Sequence, residues 1–367
     1  MAADRRRQIP SARMTEPQTL GRFAFVDHLR GMAALAVAVF HAFGSTFDTA
    51  MWAPLLPFAA CAELGWQGVH VFFVLSGFCI AEKIASLVRS GRGPRAFMRD
   101  RFWRIMPAYW ATLLVCLLLG LAAVPFNGKS PASALPPSMW AWFLDFGLVQ
   151  HWFEVPSLLL VSWTLAYEAA FYLIAALFLA FRPAVGEWGV ITAGCVLTVF
   201  CFLIRSCEIE TPLRFWPEFW TGFLAHAFLL RRKVWLGIAV VLTLAFVTLL
   251  IPANPIGQLH LVSVLTAIVL LAAYRHDQDL IRWPAWQWLG QIGVWSYSLY
   301  LVHAPLLSRS LNLGRRYVPP DSPLYALLLL GALALTLYCA WIFSRLVEGP
   351  IERWRHRPKL QVECQIA

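Results

Sequence analysis

The sequence predicts an all-α polytopic membrane protein of about ten transmembrane helices, with both termini cytoplasmic and one re-entrant or interfacial helix near 138–155. Three observations carry this. The 367 residues are 59% hydrophobic and only 14% charged, where an ordinary soluble domain carries about 25% charged residues. Runs such as "VVLTLAFVTLLIP" and "YALLLLGALALTLYCAWIF" contain no charge and approach the ~20 apolar residues that cross a bilayer. Lys and Arg also fall unevenly along the chain, as they do when cytoplasmic loops collect positive charge.

Ten candidate spans run 24–47, 66–86, 105–124, 162–182, 187–205, 214–230, 234–252, 258–275, 286–309 and 323–345. The segment "SMWAWFLDFGLVQHWFEV" (138–155) is apolar and aromatic, but short and interrupted by Asp145 and His151. If it stays on the outer side, 24 of the 30 Lys and Arg residues lie inside and six outside. If it crosses, Arg231–Lys233 and the Arg-rich tail move outside, against the positive-inside rule. Non-spanning backbone at that depth needs cover from protein or a wet cavity.

The organisation expected is a disordered basic cytoplasmic leader (1–22), a membrane domain (23–345) and a cytoplasmic tail (346–367). The net charge of +10 is then topogenic and implies no nucleic-acid partner. Eight cysteines, none in a C-x-x-C pair and most inside apolar runs, read as small core residues, with neither a metal site nor a disulfide framework.

Function must lie in the polar residues that membrane helices carry at a cost of about 2.5–3.5 kcal/mol each for a central charge. Arg30 and His41 bracket "GMAALAVAVF". Eleven residues of helix turn about 20° beyond three full turns and rise about 16 Å, so both lie on one face. Thr164, Glu168 and Tyr172 follow at i, i+4, i+8 on another span, forming a polar stripe. His41 and Glu168 belong to the same outer half and can meet, which would fix the tautomer of His41 and leave its other nitrogen as a base. His70 and Ser76 lie on the second span. The loop "RSGRGPRAFMRDRFWRIMPAYW" places Arg99, Arg101 and Arg104 before the third, with Tyr109 beyond. Arginines at this spacing between aromatics suit a phosphate-bearing ligand with a stackable base or a lipid headgroup. Tyr300 and His303 stand at i, i+3 before Pro305, and Arg345 and Glu348 at i, i+3 can pair before Pro350 ends the last span. A carrier moving protons or substrate through Arg30, His41 and Glu168 is the alternative to an enzyme. It would bring internal repeats and paired broken helices, which the sequence does not display.

Taken in order, these motifs resemble the acyltransferase family 3 membrane proteins, the O-antigen acetylase type. Arg30 and His41 match its Arg/Lys, ten residues, His opening. "GVHVFFVLSGF" is similar to its second-span signature, and "RDRFWRIMPAYW" to its Arg-x-x-Arg loop, with Arg101 and Arg104 in the arginine places. "SWTLAYEAAFYL" puts Glu168 in the glutamate place, while "GQIGVWSYSLYLVHAPLL" and "RLVEGPIER" resemble its last two signatures. The likeness covers residues 23–353. His28, His70, Ala166 and Tyr167 depart from the commonest pattern. The resemblance implies transfer of an acyl group, usually acetyl, from cytoplasmic acyl-CoA to a hydroxyl of a glycan-containing acceptor, in a bacterial inner membrane, with no metal. It implies His41 and Glu168 as catalytic and Arg30, Arg99, Arg101, Arg104, Ser76 and Tyr109 as donor-binding. His70, Tyr300, His303 and Glu348 remain as further polar core residues.

Overall fold

The computed structural model describes residues 23–44, 51–127, 130, 135–205, 211–233, 237–238 and 257–355. Among them the regular structure is entirely helical. The first span is α1 (Phe25–Gly44), unbroken through Gly31. A short outer helix α2 (Leu56–Glu63) leads into α3 (Gly68–Arg89) and then α4 (Pro94–Asn127). Helix α4 begins well before the expected 105, so the arginine-rich loop is itself mostly helical.

Among the described residues between α4 and the next long helix, the regular elements are α5 (Met139–Phe146) and a 3₁₀ turn at Gln150–Phe153. Eight residues of helix rise about 12 Å, far short of the ~30 Å of a bilayer core. The fold of this segment follows from Asp145. Its carboxylate accepts hydrogen bonds from Ser157 Oγ (2.7 Å), Leu158 N (3.2 Å) and Tyr109 OH (3.2 Å), and Tyr109 OH also donates to the Asp145 carbonyl (2.8 Å). A buried carboxylate held by three donors tolerates its apolar surroundings and pins the segment to α4.

The two spans expected at 162–182 and 187–205 are two helices that meet at Gly186, whose φ of 70° and ψ of 178° are not helical; together they are labelled α6 (Ser162–Arg205). That backbone is open to glycine and costly for other residues. Helix α7 (Trp216–Leu230) follows; the expected span 234–252 falls almost wholly outside the described residues. Next come α8 (Gly257–Ala273) and α9 (Asp277–Ile281). The expected span 286–309 is two helices, α10 (Pro284–Val294) and α11 (Ser296–Gly314), joined at Trp295. Helix α12 (Leu324–Phe343) passes through a π-helical turn, Ser344–Glu348, into α13 (Gly349–Arg355). Pro350 therefore does not end the helix: as the second residue of α13 it lacks an N–H where none is needed.

Five of these stretches are long and apolar enough to cross a membrane by length and composition: Phe25–Gly44, Ala53–Arg89, Pro94–Pro125, Ser162–Ile204 and Leu324–Arg355. The protein is a multi-pass membrane protein. The tally differs from ten because α6 counts once, α7, α8 and α10 are short, and 234–252 is not described. The main core is built from α3, α4, α6, α7 and α11.

The N-terminus of α1 shows how tertiary contacts replace local capping. Its first amides have no helical acceptor, and Asp277 of α9 supplies one: Phe25 N donates to Oδ1 (2.8 Å) and Ala24 N to Oδ2 (3.3 Å). Asp277→Ala removes this cap. It is expected to cost about 0.5–2 kcal/mol, visible as a lower thermal midpoint of the purified protein.

Candidate active site

Four helices line a narrow, partly open cavity of about 90 Å³. Helix α3 contributes Phe72, Ser76 and Ile80, α4 contributes Arg101, Arg104 and Ile105, α6 contributes Thr164, Glu168 and Tyr172, and α11 contributes Ser296, Tyr297 and Tyr300. Arg30 of α1 completes the wall. Eight of the residues singled out in the sequence therefore meet here: Arg30, Ser76, Arg101, Arg104, Thr164, Glu168, Tyr172 and Tyr300.

Their side chains are held by neighbours. Glu168 Oε1 accepts from Ser76 Oγ at 2.7 Å and from Tyr172 OH at 2.5 Å. The i, i+4 spacing on α6 brings Tyr172 to the carboxylate, and α3 brings Ser76. Arg104 Nη1 donates to Glu348 Oε1 at 2.6 Å and to Glu352, and Glu348 Oε2 accepts from Ser298 Oγ at 2.7 Å. The π-turn at the end of α12 aims Glu348, 6% exposed, at this guanidinium. The expected partner of Glu348, Arg345, instead lies over the Trp341 ring at 5.6 Å, because the wider π-turn breaks the ordinary i, i+3 register.

Arg101 and Arg30 are differently placed. Arg101 stands 5.8 Å from the Tyr172 ring centroid, with a buried Nε that has no hydrogen-bond partner. Among the described residues neither Arg101 nor Arg30 forms an ion pair. The cavity thus has one neutralised arginine and two whose charge is available to a ligand.

His41 does not line this wall and does not contact Glu168, as the sequence reading had it. Its ring packs on His303 of α11, centroids 5.0 Å apart. His303 in turn lies 5.5 Å from the ring of Tyr300, whose hydroxyl bonds Thr164 Oγ1 at 2.5 Å. His303 Nδ1 donates to the Tyr300 carbonyl at 2.7 Å, which leaves Nε2 as the lone-pair nitrogen; that atom is buried and unpartnered. So the two histidines lie beside the Tyr300 end of the cavity, one turn beyond that residue. The regular α1 keeps Arg30 and His41 on a common side, as the helical period requires.

Three further candidates lie elsewhere. Arg99 projects outward, 56% exposed, and its guanidinium comes no closer than 3.9 Å to Asp100; the α4 period separates it from Arg101 and Arg104. Tyr109 is spent on Asp145. His70 faces α7, with Nδ1 3.7 Å from the buried Glu218. Sequence reasoning did not single out Tyr297, Ser298 or Glu352. Tyr297 lies beneath the Arg104 guanidinium at 5.5 Å, and only the fold brings α11 to α4.

Comparison with known proteins matches residues 23–345 to the acyltransferase family described as "Acyltransferase domain". The chain belongs to this family. It is 27% identical over 387 aligned positions to the acyltransferase MdmB of Streptomyces mycarofaciens, covering 93% of this chain and 95% of that one. It is 31% identical over 158 positions to the peptidoglycan O-acetyltransferase OatA of Listeria monocytogenes, covering 41% of this chain and 23% of that longer protein. No solved structure matches. In this acyltransferase the matched stretch, residues 23–345, contains every residue that lines the cavity, and His41 and His303 at its end.

Proposed function

We propose that the protein is an O-acyltransferase, which moves an acetyl group from cytoplasmic acetyl-CoA to a hydroxyl of a glycan or glycoconjugate at the outer side of a bacterial inner membrane. The carrying observation is the convergence of Arg30, Arg101, Arg104 and Glu168 on one cavity whose far end adjoins His41. The reading takes ten spans and cytoplasmic termini, which puts the arginines inside, where the donor is.

Arg30 and Arg101 bind the donor's phosphates, and Arg104, fixed by Glu348 and Glu352, orients them. Guanidinium groups suit this because their donors match phosphate oxygens in pairs. The pantetheine runs along the cavity past the Phe72–Tyr300 ring pair and presents the thioester to His41. His41 takes the proton of the acceptor hydroxyl, and the oxygen attacks the thioester carbonyl. The C–S bond breaks, the ester forms, and CoA leaves as a thiolate that regains a proton. Holding both substrates in line supplies much of the acceleration, and the base supplies a further part. Glu168 organises the cavity through Ser76 and Tyr172, in place of the orienting role expected beside His41.

The test is label transfer. Purified protein in detergent, given radiolabelled acetyl-CoA and a panel of peptidoglycan-type and other oligosaccharides, should pass label into a base-labile ester. Label that stays in CoA with every acceptor overturns the proposal. Arg101→Gln should raise the KM for acetyl-CoA about 10–100-fold, the equivalent of a charge-assisted bond worth about 1.5–3 kcal/mol, with kcat changed far less.

A further inference from the structure

A second cavity, larger than the first, lies on the other side of α3 and α6. It offers about 700 Å³, in the upper part of the ~300–1,000 Å³ range of ordinary small-molecule sites. Its walls are apolar and largely aromatic: Phe171 and Phe178 of α6, Trp216, Trp220 and Phe223 of α7, and Ile84 of α3. Its charged members gather at one end, Arg89 at the close of α3, Arg182 and Glu187 beside the α6 kink, and Arg231 just past α7. By the distribution of basic residues this is the cytoplasmic end.

We propose that this groove holds an anionic glycerophospholipid of the inner leaflet, its acyl chains between α6 and α7 and its phosphate on the arginines. The charge pattern decides the headgroup. Arg231 Nη2 is 2.6 Å from Glu187 Oε1, and Arg89 Nη2 is 3.0 Å from Glu82 Oε1. Glu82 also meets His226 Nε2 at 2.8 Å. Arg182 has no ion pair among the described residues, so the rim keeps an excess positive charge at the depth where phosphates lie. Basic pockets between membrane helices on the cytoplasmic side recognise such headgroups, and a guanidinium grips phosphate through paired bonds. A zwitterionic lipid would set its own cation against the same arginines.

The groove also has a route to the active site. On α3, Ile80 faces the first cavity while Ala81 and Ile84 face the second; on α6, Tyr172 faces the first and Phe171 the second. A bound lipid therefore supports the wall that carries Glu168.

The experiment uses the full chain in detergent and reads bound lipid, independently of acyl transfer. Stripped protein is titrated with phosphatidylglycerol or phosphatidylcholine and examined by native mass spectrometry. Wild type should retain phosphatidylglycerol in preference to phosphatidylcholine. Arg182→Gln should weaken that retention at least about tenfold, and Arg182→Lys should largely restore it. Because Arg182 has no ion pair to lose among the described residues, its variants should elute and unfold like wild type. A raised thermal midpoint with phosphatidylglycerol, absent in Arg182→Gln, is the second readout. Equal retention of the two lipids, no retention by wild type, or wild-type retention by Arg182→Gln each overturns the proposal.

Discussion

His41→Ala should lower the turnover of acyl transfer by about 10²–10⁴-fold, the usual contribution of a positioned base, with the affinity for acyl-CoA unchanged. The split follows from the geometry. His41 stands at the end of the cavity, beyond Tyr300, and the arginines proposed to bind phosphates line the cavity itself. Removing the imidazole takes away the proton acceptor without touching donor binding. Single-turnover transfer of label, measured beside equilibrium binding of acetyl-CoA, separates the two effects. A variant that transfers at the wild-type rate, or one that simply fails to bind donor, refutes the assigned role.

Gly77→Val should destabilise the protein at or beyond the upper end of the ~1–3 kcal/mol typical of overpacking. Helices α3 and α7 are among the most closely packed pairs of the described residues, and they meet backbone to backbone. A Cβ at Gly77 would lie 1.8 Å from the Phe219 carbonyl oxygen, and one at Gly222 1.8 Å from that of Val74. Neither carbonyl can rotate away without breaking its helix, so the helices must separate. Small residues at membrane helix crossings permit such an approach, and dispersion gained over the contact holds it. Gly222→Val should act alike, and the double variant should cost less than the sum, since one separation relieves both clashes. The thermal midpoint by fluorescence-detected size exclusion measures this. A midpoint within a degree or two of wild type would mean that the crossing is looser than it stands.

The two predictions also mark what was legible beforehand. Arg30 and His41 could be placed on one side of one helix because the backbone alone sets the period. Arg101, Arg104 and Glu168 could be singled out because charge is costly in lipid wherever the chain later folds. The contacts they make could not. His41 adjoins His303 instead of Glu168, since which helices neighbour α1 depends on packing across the bundle. Glu348 reaches Arg104 instead of Arg345, since a π-turn shifts its register. Tyr109 looked like a donor-binding residue by its place in a motif, yet Asp145, far along the chain, claims its hydroxyl.

The lipid groove was wholly illegible. Arg182 reads in the sequence as ordinary topogenic charge, and Phe178, Trp216 and Trp220 as core. Composition and period determined by themselves that this chain is a bundle of membrane helices with a few expensive polar stations on fixed faces, because hydrophobic cost and helical geometry are local. Only the tertiary structure decided which stations face one another, which arginines are neutralised and which stay available, because those depend on distances between helices that no single helix encodes.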